Sequence, residues 1–340
     1  LNGTHKPTEV STLLYPTHKQ VKEFVDDRAT AEAFLGYDIE VINNETACVG
    51  FADTSTTAIC IAFRDTNKNV YGLDEERAVW REIQRLVTAP APLILAQNGM
   101  FDITWQWYKD KVRPKPLHID TMLGHHLLYP QLPHNLGFLT SQYTDNPYYK
   151  DEKAGWRDGG DINDFWRYNG KDCANLIPIA TAIRRELQDQ GLWDFFQSHI
   201  MRLQPVLARM TVGGILLDAE MKAGLHDQLH DTVSKLLNEF QTEVQLLTGT
   251  ELFYNPASPK QMSDLYFSKL KLVGRGVSTD KENRDRMFKH PRTTDAARKI
   301  ISIHNQYAEE NKFFSTYVKM EHDEDGRVRS TYNQTGTQSA

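Results

Sequence analysis

Three short strand-like runs of apolar residues stand near the start of the chain, over residues 35–41, 47–52 and 58–63. Polar turn-forming residues separate them, and short turns between neighbouring strands are typical of an antiparallel meander. The pattern therefore predicts three antiparallel strands after residue 30. Residues 1–30 are polar and mixed, and we expect an N-terminal arm with one short helix over residues 17–25.

A helical period follows the predicted meander. Residues 75–88 place Val79, Ile83 and Leu86 on one side, which predicts an amphipathic helix that prolines then end. Residues 93–96 are a short apolar run, which we interpret as a buried strand. A meander, a crossover helix and a fourth strand together indicate an α/β layout with a mixed sheet.

Helical patterns dominate the remainder of the chain. We predict these helices over residues 101–109, 119–129, 161–187, 195–210 and 220–247. The character of the chain changes after about residue 190, so we place a domain boundary near residue 188. The expected organisation is an arm (1–30), an α/β domain (31–187) and a mainly helical part (188–340).

Composition narrows the class of protein. A chain of 340 residues with 40% hydrophobic residues is long enough for two cored domains at about 150 residues each. No apolar run approaches the ~18 residues of a membrane span, and we expect no membrane association. Cys48, Cys60 and Cys173 are odd in number and far apart, which favours a reducing, cytoplasmic compartment over a disulfide framework. His125 and His126 lack a matching Cys or His cluster, so we predict no zinc site.

The charge distribution is uneven. A net charge of −6 by itself argues against a nucleic-acid-binding protein. Residues 260–299, however, contain eleven basic and five acidic side chains. Such a stretch suits contacts to phosphates, although a solvated helical face would have the same composition.

Asp38 and Glu40 are the first candidate metal ligands. They are two residues apart in a predicted strand, so both side chains leave the same face of the sheet. Like charges this close are unfavourable unless a cation lies between them, and carboxylate oxygens are the ligands that Mg²⁺ or Mn²⁺ prefers. The alternative is a solvated sheet face, because this spacing also occurs by chance.

Two further motifs place acidic side chains on other elements. Asp102 stands at the start of a helix directly after the buried strand, where it could also be an ordinary helix cap. Tyr168 and Asp172 share one helix face at a spacing of four residues. Asp172 could instead form a surface ion pair with Lys171 or Arg167.

The order of these motifs resembles the proofreading 3′→5′ exonuclease superfamily, in its subtype with four carboxylates and a tyrosine. The resemblance implies a ribonuclease H-like fold and two divalent ions, Mg²⁺ or Mn²⁺. It implies that four carboxylates hold the ions, namely Asp38, Glu40, Asp102 and Asp172. Together with Tyr168, which in the family orients the attacking water, these are the expected catalytic residues.

Two other positions bear on the substrate contacts that the resemblance implies. Asn98 matches a family position near the terminal nucleotide. Val41 stands where many relatives have threonine, so this chain lacks a hydroxyl near the substrate. That departure affects the expected substrate contacts and leaves the metal ligands as they are.

Motifs in the second half resemble the thumb and palm entrance of family A DNA polymerases. They lie at residues 210–218, 255–261, 278–280, 312–317 and 326–337, and the similarity covers about residues 35–340. The resemblance implies phosphate contacts by Lys260, Lys312 and Arg327, and a minor-groove contact by Asn333 near the primer end. The two polymerase carboxylate motifs of the family are not among these residues, so we do not expect a complete polymerase site in this chain.

The expected function is therefore part of a family A DNA polymerase with a proofreading exonuclease, in which DNA is the partner. The expected fold is a ribonuclease H-like α/β domain followed by a helical thumb and a partial palm. Two alternatives stay open. One is a free-standing exonuclease that acts on RNA, and the other is a DNA-binding fragment with an inactive nuclease domain.

Overall fold

The structure, a computed structural model, describes residues 9–65, 68–146, 160–276 and 278–337. The chain divides into two compact units. The first contains the chain up to Gly213 together with the segment from Ser330 onward, and the second is Gly214–Arg329. The first unit thus extends beyond residue 188, because Met201 and Ala208 are buried in its core. The domain limits expected from the sequence remain a prediction that differs from these contact-based units.

A mixed six-stranded sheet forms the centre of the first unit, in the order β1-β4-β3-β2-β7-β8. β2, β3 and β4 are antiparallel neighbours, whereas β1 on β4, β7 on β2 and β8 on β7 are parallel. The predicted meander and mixed sheet are confirmed. The strands of this unit, including the small hairpin β5–β6, are β1 Ser11–Leu14, β2 Phe34–Ile42, β3 Glu45–Ala52, β4 Thr57–Ala62, β5 Arg64–Asp65, β6 Lys68–Asn69, β7 Leu93–Ala96 and β8 Ile119–Asp120.

Helices cover the sheet of the first unit. They are α1 His18–Arg28, α2 Leu73–Thr88, α3 Met100–Trp105, α4 Thr121–Leu128, α5 Leu136–Tyr143, α6 Ile162–Asp189, α7 Trp193–Phe195 and α8 Met201–Gly213. α3 continues as a wider π-helical turn to Asp110, and a similar turn joins α7 to α8. Asp161 caps α6 by accepting from the backbone N–H of Asn163 at 2.9 Å, as the sequence predicted, and α6 runs on through Pro178.

The sequence led us to expect an arm with one short helix over residues 17–25; in the described part of residues 1–30 that helix is present as α1, and a strand precedes it. β1 pairs with β4 in parallel register, and α1 buries Val21 and Val25 against the core. The reason is that these two valines, four residues apart, form an apolar stripe on α1. The same segment provides an edge strand for the sheet. Residues 1–8 lie outside the described residues.

The second unit is mainly helical. Its elements are β9 Ile215–Leu216, α9 Ala219–Thr248, α10 Pro259–Ser263, α11 Lys281–Lys289, α12 Asp295–Phe313 and β10 Arg327–Val328. α9 and α12 pack along each other, and Phe240, Tyr266 and Ile300 are fully buried in the main core cluster. β9 and β10 pair as a two-residue antiparallel ladder. The predicted helical character of this part is confirmed.

Two smaller findings concern composition. All three cysteines are buried and free. In the described part of the chain, no helix combines the length and the apolar character that crossing a bilayer requires.

Three histidines meet between α4 and the segment before α5. Nδ1 of His125 lies 2.8 Å from Nδ1 of His134, and Nδ1 of His126 lies 3.1 Å from Nε2 of His134. His134 therefore bridges two adjacent residues that the sequence pattern placed on different helix faces. Burial, together with the neighbouring charges of His134 and His126, lowers the pKa of His125 to about 4.

The buried histidine cluster makes stability dependent on pH. In the unfolded chain His125 titrates near pH 6.5, so from about pH 6.5 down to 4 the unfolded state binds a proton that the folded state does not. We expect this residue to lower the free energy of unfolding progressively over that window, by up to roughly 3 kcal/mol. Urea denaturation of wild type and His125→Asn at several pH values measures the contribution as a smaller acid-side loss in the variant. His199→Asn, at an exposed histidine of the same unit, is the control. Parallel pH profiles for wild type and His125→Asn would contradict the prediction.

Candidate active site

β2 carries two of the predicted ligands on one face. Asp38 lies opposite Gly50 of β3, and Glu40 lies opposite Cys48. The register shifts between Glu40 and Val41, so a bulge or similar irregularity interrupts the ladder there before pairing resumes at Val41 with Thr46. Bulges of this kind re-aim neighbouring side chains and are common beside active sites. Glu40 is 8% exposed and Asp38 is partly buried, which argues against the solvated sheet face.

α6 brings the next two predicted residues over this face. Tyr168 and Asp172 are one turn apart, and both are buried against the sheet. One carboxylate oxygen from each of Asp38, Glu40 and Asp172 lies within 4.8 Å of the other two. Arg167, which could have paired with Asp172, pairs with Asp164 at 2.8 Å. The structure therefore brings acids from two distant parts of the chain into one cluster.

Asp102 lies beside this cluster and is held by the strand itself. It occupies the first turn of α3, and its Oδ1 accepts from the backbone N–H of Ile39 at 3.0 Å. Ile39 stands between Asp38 and Glu40, so the fourth carboxylate is anchored to the segment that carries the first two. It is not part of the 4.8 Å group. Burial raises the pKa of Asp102 to about 7, the bond from Ile39 lowers it, and the charges of Asp120 and Glu40 raise it.

The electrostatics of the cluster suit a hard cation. Acidic side chains in a buried space repel one another unless a positive charge offsets them, and all the donors here are carboxylate oxygens. Tyr168 responds to the same surroundings. Burial and then the charges of Asp172 and other nearby acids raise the pKa of its phenol far above the usual range. The phenol therefore keeps its proton and can donate a hydrogen bond.

A buried carboxylate shapes the loop that leads into α3. Asp120 accepts from the backbone N–H groups of Asn98 at 3.0 Å and Gly99 at 2.9 Å. It also caps α4 through Met122 and accepts from Nε2 of Gln204 at 2.9 Å. Asn98 has a left-handed backbone with a φ of 55° and an exposed side chain. Asp120 thus fixes the turn from which Asn98 projects and from which α3, with Asp102, begins.

A cavity of about 410 Å³ opens beside this turn, within the first unit. It brings Asn98 together with Asn333, two residues predicted as DNA contacts that are distant in sequence. Residues with side-chain amides or hydroxyls line it together with Met100, Phe101 and Met122. Asn333 also accepts from the backbone N–H and the hydroxyl of Thr335 at 2.9 Å, which fixes its own turn.

The other predicted DNA contacts belong to the second unit. Lys260 and Lys312 are exposed, near the start of α10 and the end of α12. Arg327 lies on β10 and approaches the carbonyl oxygen of Gly214 at 3.5 Å. Neither the cluster nor the cavity of the first unit contains these three residues.

The basic stretch of the second unit separates into two classes. Four of its basic side chains form ion pairs, and Arg284 is buried, donating to Asn305 at 2.6 Å. The remaining six make no ion pair with any described residue and are Lys260, Lys269, Lys271, Arg275, Lys289 and Arg292. Three of them, Lys269, Lys271 and Arg292, line a cavity of about 470 Å³ together with His290.

Sequence reasoning missed two residues that contact the site. Gln204 lies on a distant helix, and nothing in the sequence connects it with Asp120. Asn169 lies between Tyr168 and Asp172, and its Nδ2 donates to Oδ2 of Asp38 at 2.8 Å. Its position beside Tyr168 was a usable signal, because a polar side chain in a buried part of a helix requires a hydrogen-bond partner.

Comparison with known protein families decides the identity of the first unit. A family model described as a 3′-5′ exonuclease domain, of the DNA polymerase A type, matches residues 17–188, about half of the chain. The chain belongs to this 3′-5′ exonuclease family. The resemblance drawn from the ordered carboxylate motifs is thereby confirmed. Exonuclease domains of this kind are metal-dependent, in agreement with the acidic cluster.

The chain is also similar to curated bacterial proteins. The chain is 28% identical over 177 residues to DNA polymerase I of Treponema pallidum (strain Nichols), which covers 50% of this chain and 17% of that protein. It is 27% identical over 239 residues to DNA polymerase I of Synechocystis sp., which covers 64% of this chain and 23% of the relative. The chain thus spans a quarter or less of these relatives.

A solved structure extends the likeness of fold beyond the exonuclease family. It is the POL domain of Pol1 from M. smegmatis in a complex with DNA primer-template and dNTP. The TM-score is 0.68 at 15% identity, over 96% of this chain and 53% of that chain. The exonuclease fold followed by a helical, thumb-like part is therefore confirmed.

Replacement of Asp120 by alanine should destabilise the first unit. Four backbone N–H groups and the Gln204 amide would lose a buried acceptor, and such a loss typically lowers the free energy of unfolding by about 2–4 kcal/mol. Urea denaturation followed by circular dichroism measures the effect. Asp164→Ala, which removes an exposed ion pair, should change the same quantity by less than about 1 kcal/mol. Equal losses in the two variants would show that the Asp120 network contributes no special stability.

Proposed function

We propose that this chain removes nucleotides from the 3′ end of single-stranded DNA as the proofreading part of a family A DNA polymerase. The observation that supports this most strongly is the cluster of Asp38, Glu40 and Asp172, with Asp102 anchored beside it, inside a domain of the 3′-5′ exonuclease family. The proposal concerns the nuclease activity, because the two carboxylate motifs that polymerase activity would need are not among residues 1–340.

The four carboxylates would hold two Mg²⁺ or Mn²⁺ ions. Bound ions of this type offset charge on a phosphodiester and stabilise the developing charge on the leaving 3′ oxygen. The donor set fits them, because carboxylate oxygens are the preferred ligands of both cations. Asp38 and Glu40 would present their oxygens from the strand, and Asp172 would do so from the facing helix.

Tyr168 would orient the water that attacks the terminal phosphorus atom. Its phenol remains protonated in the acidic surroundings and can donate to an oxygen of the water or the phosphate. Attack forms a bond between the water oxygen and phosphorus, breaks the bond from phosphorus to the 3′ oxygen, and releases a nucleoside monophosphate. A proton from the water leaves to solvent, and another reaches the 3′ oxygen.

The first-unit cavity would receive the 3′-terminal region of the strand. Asn98 and Asn333 line it, and amide groups of this type hydrogen-bond to base edges and sugars. Asp120 would keep Asn98 in place by holding the backbone on both sides of its turn.

The second unit would bind duplex DNA by contacts to the phosphates of the DNA backbone. The candidate contacts of this unit are Lys260, Lys312 and Arg327, and Asn333 of the first unit would contact the minor groove near the primer end, as the family resemblance implies. The cations of the 470 Å³ cavity, which lack ion-pair partners among the described residues, support phosphate binding by this unit. A cytoplasmic location in a bacterial or phage-infected cell belongs to the same proposal and is supported by the bacterial relatives.

Loss of one cluster carboxylate should abolish most of the nuclease activity. With 5′-labelled single-stranded DNA and Mg²⁺, we expect Asp38→Ala to degrade the strand at least about 100-fold more slowly than wild type, because several kcal/mol of transition-state stabilisation would be lost. Asp164→Ala, an exposed aspartate on the same helix as Asp172, should retain the wild-type rate.

The same assay separates the proposal from its two alternatives. Matched DNA and RNA strands distinguish a proofreading nuclease from an exoribonuclease, which would degrade RNA faster. A wild-type chain that degrades neither strand faster than Asp38→Ala would instead agree with an inactive DNA-binding fragment. Either result would refute the proposed activity.

Replacement of basic side chains in the second-unit cavity should weaken duplex binding and lower its dependence on salt. We expect Lys271→Ala and Arg292→Ala each to reduce the slope of log K against log salt by about 0.9, the value for one lost phosphate contact. Fluorescence anisotropy between 50 and 200 mM salt, roughly the range over which such contacts weaken, measures this slope. Lys281→Ala, which removes a cation already paired with Glu309, is the matched control. Slopes that fall equally in all three variants would contradict a specific role for the cavity.

A further inference from the structure

We propose that Asn169 is a positioning residue that fixes the carboxylate of Asp38 for cation binding. The inference rests on the proposed function, since it concerns one of the proposed ligands. Asn169 lies on α6 and is completely buried. Its Nδ2 donates to Oδ2 of Asp38 at 2.8 Å and lies 3.4 Å from the backbone oxygen of the same residue.

The chemistry of the two groups determines the orientation of the amide. An ionised carboxylate only accepts hydrogen bonds, so the amide must present its NH₂ group to Asp38. The opposite end of the amide then points toward β3, where Oδ1 is buried without a hydrogen-bond partner among the described residues. A buried acceptor of this kind is unfavourable by about 1–3 kcal/mol.

This unpaired acceptor argues for a role beyond folding. An apolar side chain of the same branched shape, such as leucine, would remove the unpaired oxygen, so packing of the helix against the sheet does not by itself call for an amide at this position. The amide therefore carries an unfavourable group in exchange for a single well-formed contact, and that contact is to Asp38. Violations of this kind are expected at functional sites.

The backbone around Asn169 is arranged to allow this contact. Gly50 is the residue opposite Asp38 in the sheet, and a Cβ at Gly50 would lie 2.1 Å from Oδ1 of Asn169. A Cβ at Gly36 would likewise lie 2.1 Å from the carbonyl oxygen of Cys173 on α6. Two glycines thus let the helix approach the sheet closely enough for a side chain as short as asparagine to reach the strand.

Hydrogen bonds to a ligating side chain set its orientation and basicity. Their loss typically weakens metal affinity or activity by about 10- to 100-fold. We therefore expect Asn169 to act on cation affinity, with its effect on catalysis relieved when the cation is in excess. An effect transmitted only through folding would show neither property.

The experiment measures Mn²⁺ binding to the full chain by electron paramagnetic resonance of the free ion, which does not depend on turnover. We expect Asn169→Leu to raise the dissociation constant by about 10- to 100-fold. Its thermal unfolding midpoint should be no lower than that of Asn175→Leu. Asn175 is the matched control, because it is a buried asparagine on the same helix that bonds to Asn146 at 2.7 Å. Asn175→Leu should bind Mn²⁺ as wild type does.

Two further variants keep the test decisive. Asn169→Ala removes the amide without adding volume, so it replaces Asn169→Leu if the latter does not fold. Gly50→Ala keeps the amide but forces it away from Asp38, and it should weaken Mn²⁺ binding in the same direction. For each weakened variant, raising Mg²⁺ should restore much of the nuclease rate.

The outcomes distinguish this inference from the proposed function. If wild type binds Mn²⁺ no better than Asp38→Ala, the metal site itself is wrong. If wild type binds Mn²⁺ through Asp38 but Asn169→Leu and Asn169→Ala bind equally well, the positioning role is overturned while the exonuclease proposal stands. Weakened binding in Asn175→Leu to the same degree would also overturn it, since any buried amide on the helix would then suffice.

Discussion

Close packing of helix α6 on strands β2 and β3 is the constraint on which the candidate site depends. Asp38 and Glu40 leave one face of the sheet, and only a helix pressed against that face can add Asp172 and Tyr168 to them. The approach is possible because Gly36 and Gly50 have no side chain where the helix lies. Burial of the helix in a large apolar core then holds the acidic groups together against their mutual repulsion.

Much of this arrangement could be predicted from local patterns. The two-residue spacing of Asp38 and Glu40 and the four-residue spacing of Tyr168 and Asp172 each define one face of a strand or helix, whatever the rest of the fold does. The meander, crossover helix and fourth strand that surround these motifs then predicted the mixed sheet, and the order of the motifs along the chain indicated the family. For this reason the family and its fold were recognisable before any three-dimensional contact was known.

Contacts between distant segments could not be predicted in the same way. β1 occupies the edge beside β4, so residues that look like a polar arm complete the sheet. His134 reaches His125 and His126 only because the chain turns back after α4, and Gln204 reaches Asp120 from more than 80 residues away. Each of these contacts depends on tertiary packing, and the hydrophobic periodicity of a short stretch of sequence does not reveal such packing. The roles of the individual site residues remain predictions for the same reason, since geometry brings them together without revealing their chemistry.

The second unit interrupts the chain of the first, and this bears on the order of folding. The chain leaves the first unit at Gly213 and returns to it at Ser330, where Asn333 helps to line the cavity beside Asn98. If residues 214–329 were unfolded, the entropy of closing so long a loop would oppose every contact that the residues after 329 make with the rest of the first unit. The β9–β10 ladder pairs Ile215 with Val328 within the second unit, so its two ends are already neighbours once it has folded. Folding of the inserted unit therefore shortens the effective loop, and the wall of the cavity formed by residues 331–335 is best assembled last.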